Sequence, residues 1–255
     1  MEDLSHYDNG QPSGFSFNDS MICLKHLALF HIWNWNNPIP KGGAKLWNIG
    51  GYWTGDKEAN KNDIRKAWDL TVQNFHNELQ ISELSKNFGS VLESRLNDIT
   101  FAFNNLQPRT IIHGDYKIAN IFINRNSTEN LIYAIDWQWC GIGHAAMDVA
   151  AFIATSIHEN TIENSLEIVR FYYKILTDNG ISYSWEQFWQ AYQICWIEYF
   201  IFTVVGNWSE MQVNDIELYK KEEKNGLHVR SHIHMKNLLT QTEIFMKDLE
   251  TSSVF

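Results

Sequence analysis

Asp115, Asn120 and Asp136 are the side chains whose types and spacing could do chemistry. The octet His113-Gly114-Asp115-Tyr116-Lys117-Ile118-Ala119-Asn120 sets an acid five residues ahead of an amide, and a second acid follows sixteen residues later. Phosphoryl transfer from a nucleotide uses such a set. One carboxylate orients or deprotonates the attacking hydroxyl, while the amide and the other carboxylate hold magnesium on the phosphates.

The flanking residues decide whether these groups can meet. Thr110-Ile111-Ile112 is β-branched and apolar and reads as a strand entering the octet. Ile121-Phe122-Ile123 reads as a strand leaving it, residues 125–130 are polar and turn-like, and Leu131-Ile132-Tyr133-Ala134-Ile135 reads as a second strand ending at Asp136. The resulting hairpin would fold Asp136 back beside Asn120 and bring two distant groups to one metal. The alternative is an apolar hairpin whose Asp and Asn only cap turns. Agreement among strand, loop and spacing favours the catalytic pattern.

Residues 111–155 resemble the catalytic core of the aminoglycoside-phosphotransferase and choline-kinase-like superfamily, and within it the ecdysteroid-kinase-like (CHK kinase-like) branch. The pattern is carried by His113-Gly114-Asp115, Asn120, Asp136-Trp137-Gln138, Gly143 and Asp148-Val149-Ala150. The octet also has the spacing of the protein-kinase loop, with Gly in place of Arg. The resemblance implies a phosphotransferase that uses ATP and Mg²⁺ and acts on a hydroxyl of a small molecule. Asp115 would be the catalytic base, and Asn120 and Asp136 the metal ligands. Asp148 is read instead as a first-turn acid that complements its helix dipole.

The fold expected is α+β and mainly helical: a protein-kinase-like C-terminal lobe with a small catalytic β-hairpin, the N-terminal lobe absent. Ser16-Phe17-Asn18-Asp19 resembles a capping box ahead of Met21, Leu24, Leu27, Ala28 and His31 at helical spacing. His31 reads as a packed histidine. Residues 36–56 are rich in Trp, Gly, Asn and Pro and read as a long loop; 62–106 read as two helices broken near 86–90. Helices are also expected over 148–158, 162–178, 184–205 and 215–249, the last broken near Asn225-Gly226. All of 1–255 is thus read as one lobe, with a hinge-like start over 1–10, the core at 111–155 and a helical substrate subdomain over 160–250.

The elements of a small lobe are not found. Gly42-Gly43 and Gly50-Gly51 do not form G-x-G-x-x-G between strands, and no lysine sits in a V-A-I-K-like strand. Met1 to Ser5 resembles the family's E-D-L hinge between lobes, which makes Glu2, Asp3 and Leu4 the implied nucleotide contacts. The chain as given is therefore expected to be weakly active or inactive, as a fragment, as a non-catalytic pseudokinase-like binding module, or with a partner supplying the other lobe.

Composition bounds the rest. A net charge of −10 without a basic run argues against nucleic-acid binding. Cys23, Cys140 and Cys195 are far apart and odd in number, which suits reduced thiols in the cytoplasm. The apolar run Ile194–Val205 is too short for a membrane span and contains Glu198. Trp33, Trp47 and Trp53 are the candidate acceptor-binding residues. Such rings can cage an ammonium group, line an apolar pocket or simply fill the core. An acidic, Trp-rich lobe leans toward a cationic or amphipathic alcohol. His228, His232 and His234 are expected on a packed or solvated helix face rather than on a metal. Trp137 and Trp139 are expected to point to opposite sides.

Overall fold

A computed structural model describes residues 3–4, 7–8, 13–35, 46–51, 61–126, 131–223 and 225–252. Eight α-helices and four short strands are found among these residues. No described helix is long and apolar enough to cross a membrane.

Helix α1 (Phe17–Trp33) starts where the capping pattern places it. Ser16 Oγ accepts from the Asp19 amide at 3.2 Å, and Cys23, Leu24, Leu27, Ala28 and His31 form its buried stripe. Helices α2 (Ile64–Phe75) and α3 (Phe88–Asn104) follow. The break between them is wider than expected, because residues 76–87 form turns and a short 3₁₀ segment.

The catalytic stretch contributes all four strands. Strands β2 (Ile121–Asn124) and β3 (Leu131–Ala134) pair antiparallel with Ile121 opposite Ala134. This is the expected hairpin, with Asn120 and Asp136 at its open end. Strand β1 (Thr110–Ile112) pairs with β4 (Gly141–Gly143), which the sequence analysis did not foresee. The segment at Trp47 lies parallel along the other edge of β4, with Trp47 N on Cys140 O at 3.1 Å and Gly50 N on Ile142 O at 2.9 Å. So 46–51 belongs structurally to the catalytic core, not to a detached loop.

Helix α4 (Ala146–Ser156) is buried along its whole length, which its four alanines permit. Helix α5 (Ser165–Asp178) packs on α1. Helix α6 (Trp185–Gly206) is the central rod, packed against α2, α3, α4 and α8. Its N-terminus has a full capping box between Ser184 and Gln187. Glu198, buried on α6, is neutralised by Lys61, whose Nζ lies 2.8 Å and 3.0 Å from the two carboxylate oxygens.

Helices α7 (Val213–Glu222) and α8 (His232–Thr251) replace the single broken helix expected over 215–249. α7 ends at Glu222 and α8 begins at His232, so the interruption is wider than Asn225-Gly226 alone. His228 sits in the 3₁₀ turn Leu227–Val229, so His228 and His232 do not share a helix. All three histidines are at least partly buried, and His234 Nε2 bonds Ile157 O at 2.7 Å. Of the packed or solvated helix face expected for them, His234 takes the packed form, while His228 lies off the helix.

Candidate active site

The octet is a tight loop fixed from three sides. Gly114 has φ +83, and a Cβ there would lie 2.4 Å from Trp139 O and 2.8 Å from Gly51 N. Only glycine fits both the left-handed backbone and this approach. Behind the loop, Asp148 on α4 accepts from the amides of His113 at 2.7 Å and Gly114 at 2.9 Å. His31 Nε2 lies 3.1 Å from the same carboxylate, and its Nδ1 is 2.6 Å from Tyr172 OH on α5. Burial pushes the Asp148 carboxyl up. The His31 hydrogen bond, the charges of His31 and His113 and the Gly114 amide outweigh burial and hold it below the usual carboxylate range. Asp148 is thus structural, as preferred, but it works by binding the loop's amides rather than by complementing its helix dipole. His31 is packed as expected, and also orients this anchor.

His113 joins the two halves of the site. Its Nδ1 accepts from the Asp115 amide at 3.2 Å, and its Nε2 donates to Ile135 O at 2.9 Å, one residue before Asp136. Its ring packs on Trp137 with centroids 4.4 Å apart. Trp137, Phe30, Ile132 and Ala134 line a cavity of about 210 Å³ behind the loop. Trp139 lies on the Trp47 side, with ring centroids 6.5 Å apart.

Asp115 is largely buried, with 14 % of its side chain exposed. Desolvation raises its pKa, opposed by the charge and hydrogen bond of Lys117, the charge of His113 and a hydrogen bond from Asn120. Lys117 Nζ lies 2.7 Å from Oδ2, and Asn120 Nδ2 donates to the same oxygen at 3.0 Å. Oδ1 accepts no hydrogen bond among the described residues. A carboxylate of raised proton affinity, with one oxygen engaged and the other open, is suited to take a proton.

Asn120 is buried and also donates to Asp115 O at 2.9 Å, so both hydrogens of its amide nitrogen are used and Oδ1 is the side-chain atom left to bind a metal. The Ile135 amide donates to Asn120 O at 3.0 Å, which locks the strand end carrying Asp136 against Asn120. Asp136 is exposed and holds a left-handed backbone, φ 63 and ψ 62. Asp tolerates this conformation better than most residues, and such strain gathers at functional sites. An amide oxygen and a carboxylate are hard donors that suit Mg²⁺. No group of three or more His, Cys, Asp or Glu among the described residues could hold a metal unaided. A site with so few protein ligands fits an ion that takes the rest from phosphates.

The other candidates are dispersed. Glu2 and Trp53 lie outside the described residues. Asp3 is exposed and Leu4 half-buried. Tyr7 N bonds Leu4 O, Asp8 pairs antiparallel with Ile123, and the Tyr7 ring stacks on Tyr133 at 5.0 Å. Tyr7 and Asp8 therefore lie beside the hairpin. Trp47 is half-buried, and its Nε1 donates to Gln138 O at 2.7 Å, two residues past Asp136. Trp33, at the end of α1, is 80 % exposed. Lys117, which pairs with the candidate base, is visible in the sequence as a lysine two residues past it.

A mainly helical lobe with this loop, hairpin and buried anchoring acid has the architecture of a kinase-like C-terminal lobe. The ecdysteroid kinase-like family model matches residues 54–182, just over half of the chain, and the chain belongs to that family. No curated protein matches it. Among solved structures it is similar to a microcompartment-associated aminopropanol kinase, with TM-score 0.56 and 12 % identity, covering 92 % of this chain and 64 % of that one. It is also similar to an ethanolamine kinase of Plasmodium vivax, with TM-score 0.50 and 14 % identity, covering 97 % of this chain and 64 % of that one. The chain thus spans just under two thirds of the length of either structure.

Proposed function

We propose that these residues form the acceptor and metal half of an ATP- and Mg²⁺-dependent phosphotransferase acting on a hydroxyl of a small molecule. The observation that supports this reading is a desolvated Asp115 bound by Asn120 Nδ2, with Asn120 and an exposed Asp136 at the open end of one hairpin. Asp115 Oδ1 would take the proton of the acceptor hydroxyl as that oxygen bonds to the γ-phosphorus of ATP, whose bond to the β–γ bridging oxygen breaks to release ADP. Asn120 and Asp136 would hold Mg²⁺, which neutralises charge on the phosphates when bound. Gly114, His113 and Asp148 hold the base in place. Glu2, Asp3 and Leu4 would touch the nucleotide, and the hydrogen bond from Tyr7 N to Leu4 O, with Tyr7 and Asp8 beside the hairpin, supports that assignment. Trp33, Trp47 and Trp53, with helices over 160–250, would contribute to acceptor binding. The amino-alcohol kinases of similar fold support a small alcohol as acceptor, and the scattered cysteines favour the cytoplasm.

A non-catalytic binding module is the second reading. It is favoured by the lack of a Gly-rich phosphate-covering loop and a strand lysine in these 255 residues. The two readings separate in a prolonged phosphate-transfer assay with Mg-ATP and a panel of small alcohols, run on the wild-type chain and on Asp115→Asn. Slow transfer that falls by about 10² to 10⁴ in the variant supports the enzyme. Transfer that ignores the substitution removes Asp115 from its role, and no transfer to any acceptor favours the binding module.

A further inference from the structure

A second cavity, of about 410 Å³, opens where the start of α8 meets α7 and the residues that follow α4. Among the described residues it shares no lining side chain with the loop, the hairpin or the cavity behind them. Its His234 is fixed to the cap of α4, donating from Nε2 to Ile157 O at 2.7 Å. That cap lies nine residues beyond Asp148, about 13 Å along the helix. Arg230 lines this cavity although only 2 % of it is exposed. Burial lowers its pKa, opposed by the charge of Glu223. A guanidinium taken out of water is costly, and one that borders an open volume is suited to receive an anion there.

Further donors line the same space. His158 Nδ1 accepts from the Asn160 amide at 3.1 Å, which puts the ring proton on Nε2. His232 Nε2 is buried and meets no hydrogen-bonding group among the described residues. The amides of His232 and Ile233 open α8 and have no intrahelical acceptor, and the helix end adds partial positive charge. Ser231 is already spent. It accepts from the His234 amide at 3.4 Å and, because His234 Nε2 donates to Ile157 O, it donates to His234 Nδ1 at 2.9 Å. Lys220 of α7 adds a full charge at the rim, and Glu159 and Glu217 line the cavity too. Depth decides between the two signs. Both acids are exposed and screened by solvent, while Arg230 is shielded from water and acts at a lower dielectric.

We propose that this cavity binds a small organic molecule through an oxyanion group, a phosphate monoester or a carboxylate, at a site separate from Asp115. Arg230 and the first amides of α8 would hold the oxygens, with Lys220 closing over the solvent side. A volume of about 410 Å³ is that of a small-molecule site and exceeds what a bare ion fills, so the ligand carries a body beyond its anion. The inference does not rest on the phosphotransferase reading, since none of these residues belongs to that centre.

The test is calorimetry of the 255-residue chain with inorganic phosphate and, separately, with malonate. Arg230→Lys keeps the charge but loses the planar fork, and should weaken binding by about tenfold or more. Lys220→Glu changes an exposed position that the fold does not need, and should also weaken binding by about tenfold. The bound anion should raise the unfolding midpoint of the wild type and leave that of Lys220→Glu nearly unmoved. Binding of phosphate alone assigns the site to phosphates, binding of malonate alone assigns it to carboxylates, and binding of both assigns it to either. No binding of either anion below about 10 mM, or an affinity left unchanged by Lys220→Glu or by Arg230→Lys, would overturn the proposal.

Discussion

The carboxylate of Asp148 accepts a 2.7 Å hydrogen bond from the backbone amide of His113, and so ties a buried helix directly to the loop that presents Asp115. The same group takes the Gly114 amide and meets His31. Three donors from two distant segments converge on one acid that is 1 % exposed.

That relationship predicts a stability defect larger than its helix position suggests. Asp148→Asn puts an amide donor where only acceptors fit and removes a buried charge, at a cost of about 3–5 kcal/mol. A denaturant double-mutant cycle with His31→Ala should give a coupling of at least ~1 kcal/mol. Additive single effects would mean that His31 merely packs nearby.

A second prediction concerns pH. Burial lowers the pKa of His144 to about 3, with His31 and Arg109 adding repulsion. Burial likewise lowers His228 to about 3, with Lys117, His234 and Arg230 adding to it. Both stay neutral when folded and protonate when unfolded, so the unfolded state gains protons as pH falls below about 6.5. Stability is complete above that value and is lost on acidification, by on the order of 2 kcal/mol per histidine between pH 6.5 and 5. Carboxylates contribute little in that window. Urea midpoints should fall across it, and His144→Gln should flatten the slope. A level profile would contradict the neutral buried assignments.

A third prediction concerns the tryptophans. If 33–53 line the acceptor pocket, Trp47→Ala and Trp53→Ala raise the acceptor KM more than the ATP KM, and a solvent-exposed Trp33 becomes protected when acceptor binds. Trp47 also supports Gln138 through its indole N–H. A loss of stability with equal effects on both KM values would assign it to packing alone.

The parts of the site that were legible in the sequence are those set by local patterns. The hairpin is written in short β-branched runs around a polar turn, and the octet in fixed spacing, so Asn120 and Asp136 could be brought together before any coordinates. Strand β4 could not be read, because Gly141-Ile142-Gly143 has little strand propensity. Its pairing comes from β1 and from the segment at Trp47, with Gly141 allowing Trp47 O and Gly50 Cα to approach where a Cβ would stand 2.6 Å away. The role of Asp148 is equally tertiary, since its partners lie on α1 and in the loop. The split of the last helix was legible at Asn225-Gly226, but its width was not, because it comes from tertiary contact: Gly226 is pressed on α4, where a Cβ would meet Thr155 at 2.6 Å.

The central claim is that Asn120 and Asp136 hold a magnesium nucleotide next to Asp115. Titration of ATP into the 255-residue chain, with and without Mg²⁺, tests it most directly. Asp136→Asn is the sharper variant, since Asn keeps the left-handed backbone and changes the charge alone. The account predicts binding that requires Mg²⁺ and is weaker than micromolar, because the 255-residue sequence contains no G-x-G-x-x-G motif to cover the phosphates. Binding should vanish in Asp136→Asn while the unfolding midpoint stays in place. ATP affinity that is the same without Mg²⁺, or unchanged in Asp136→Asn, would contradict it.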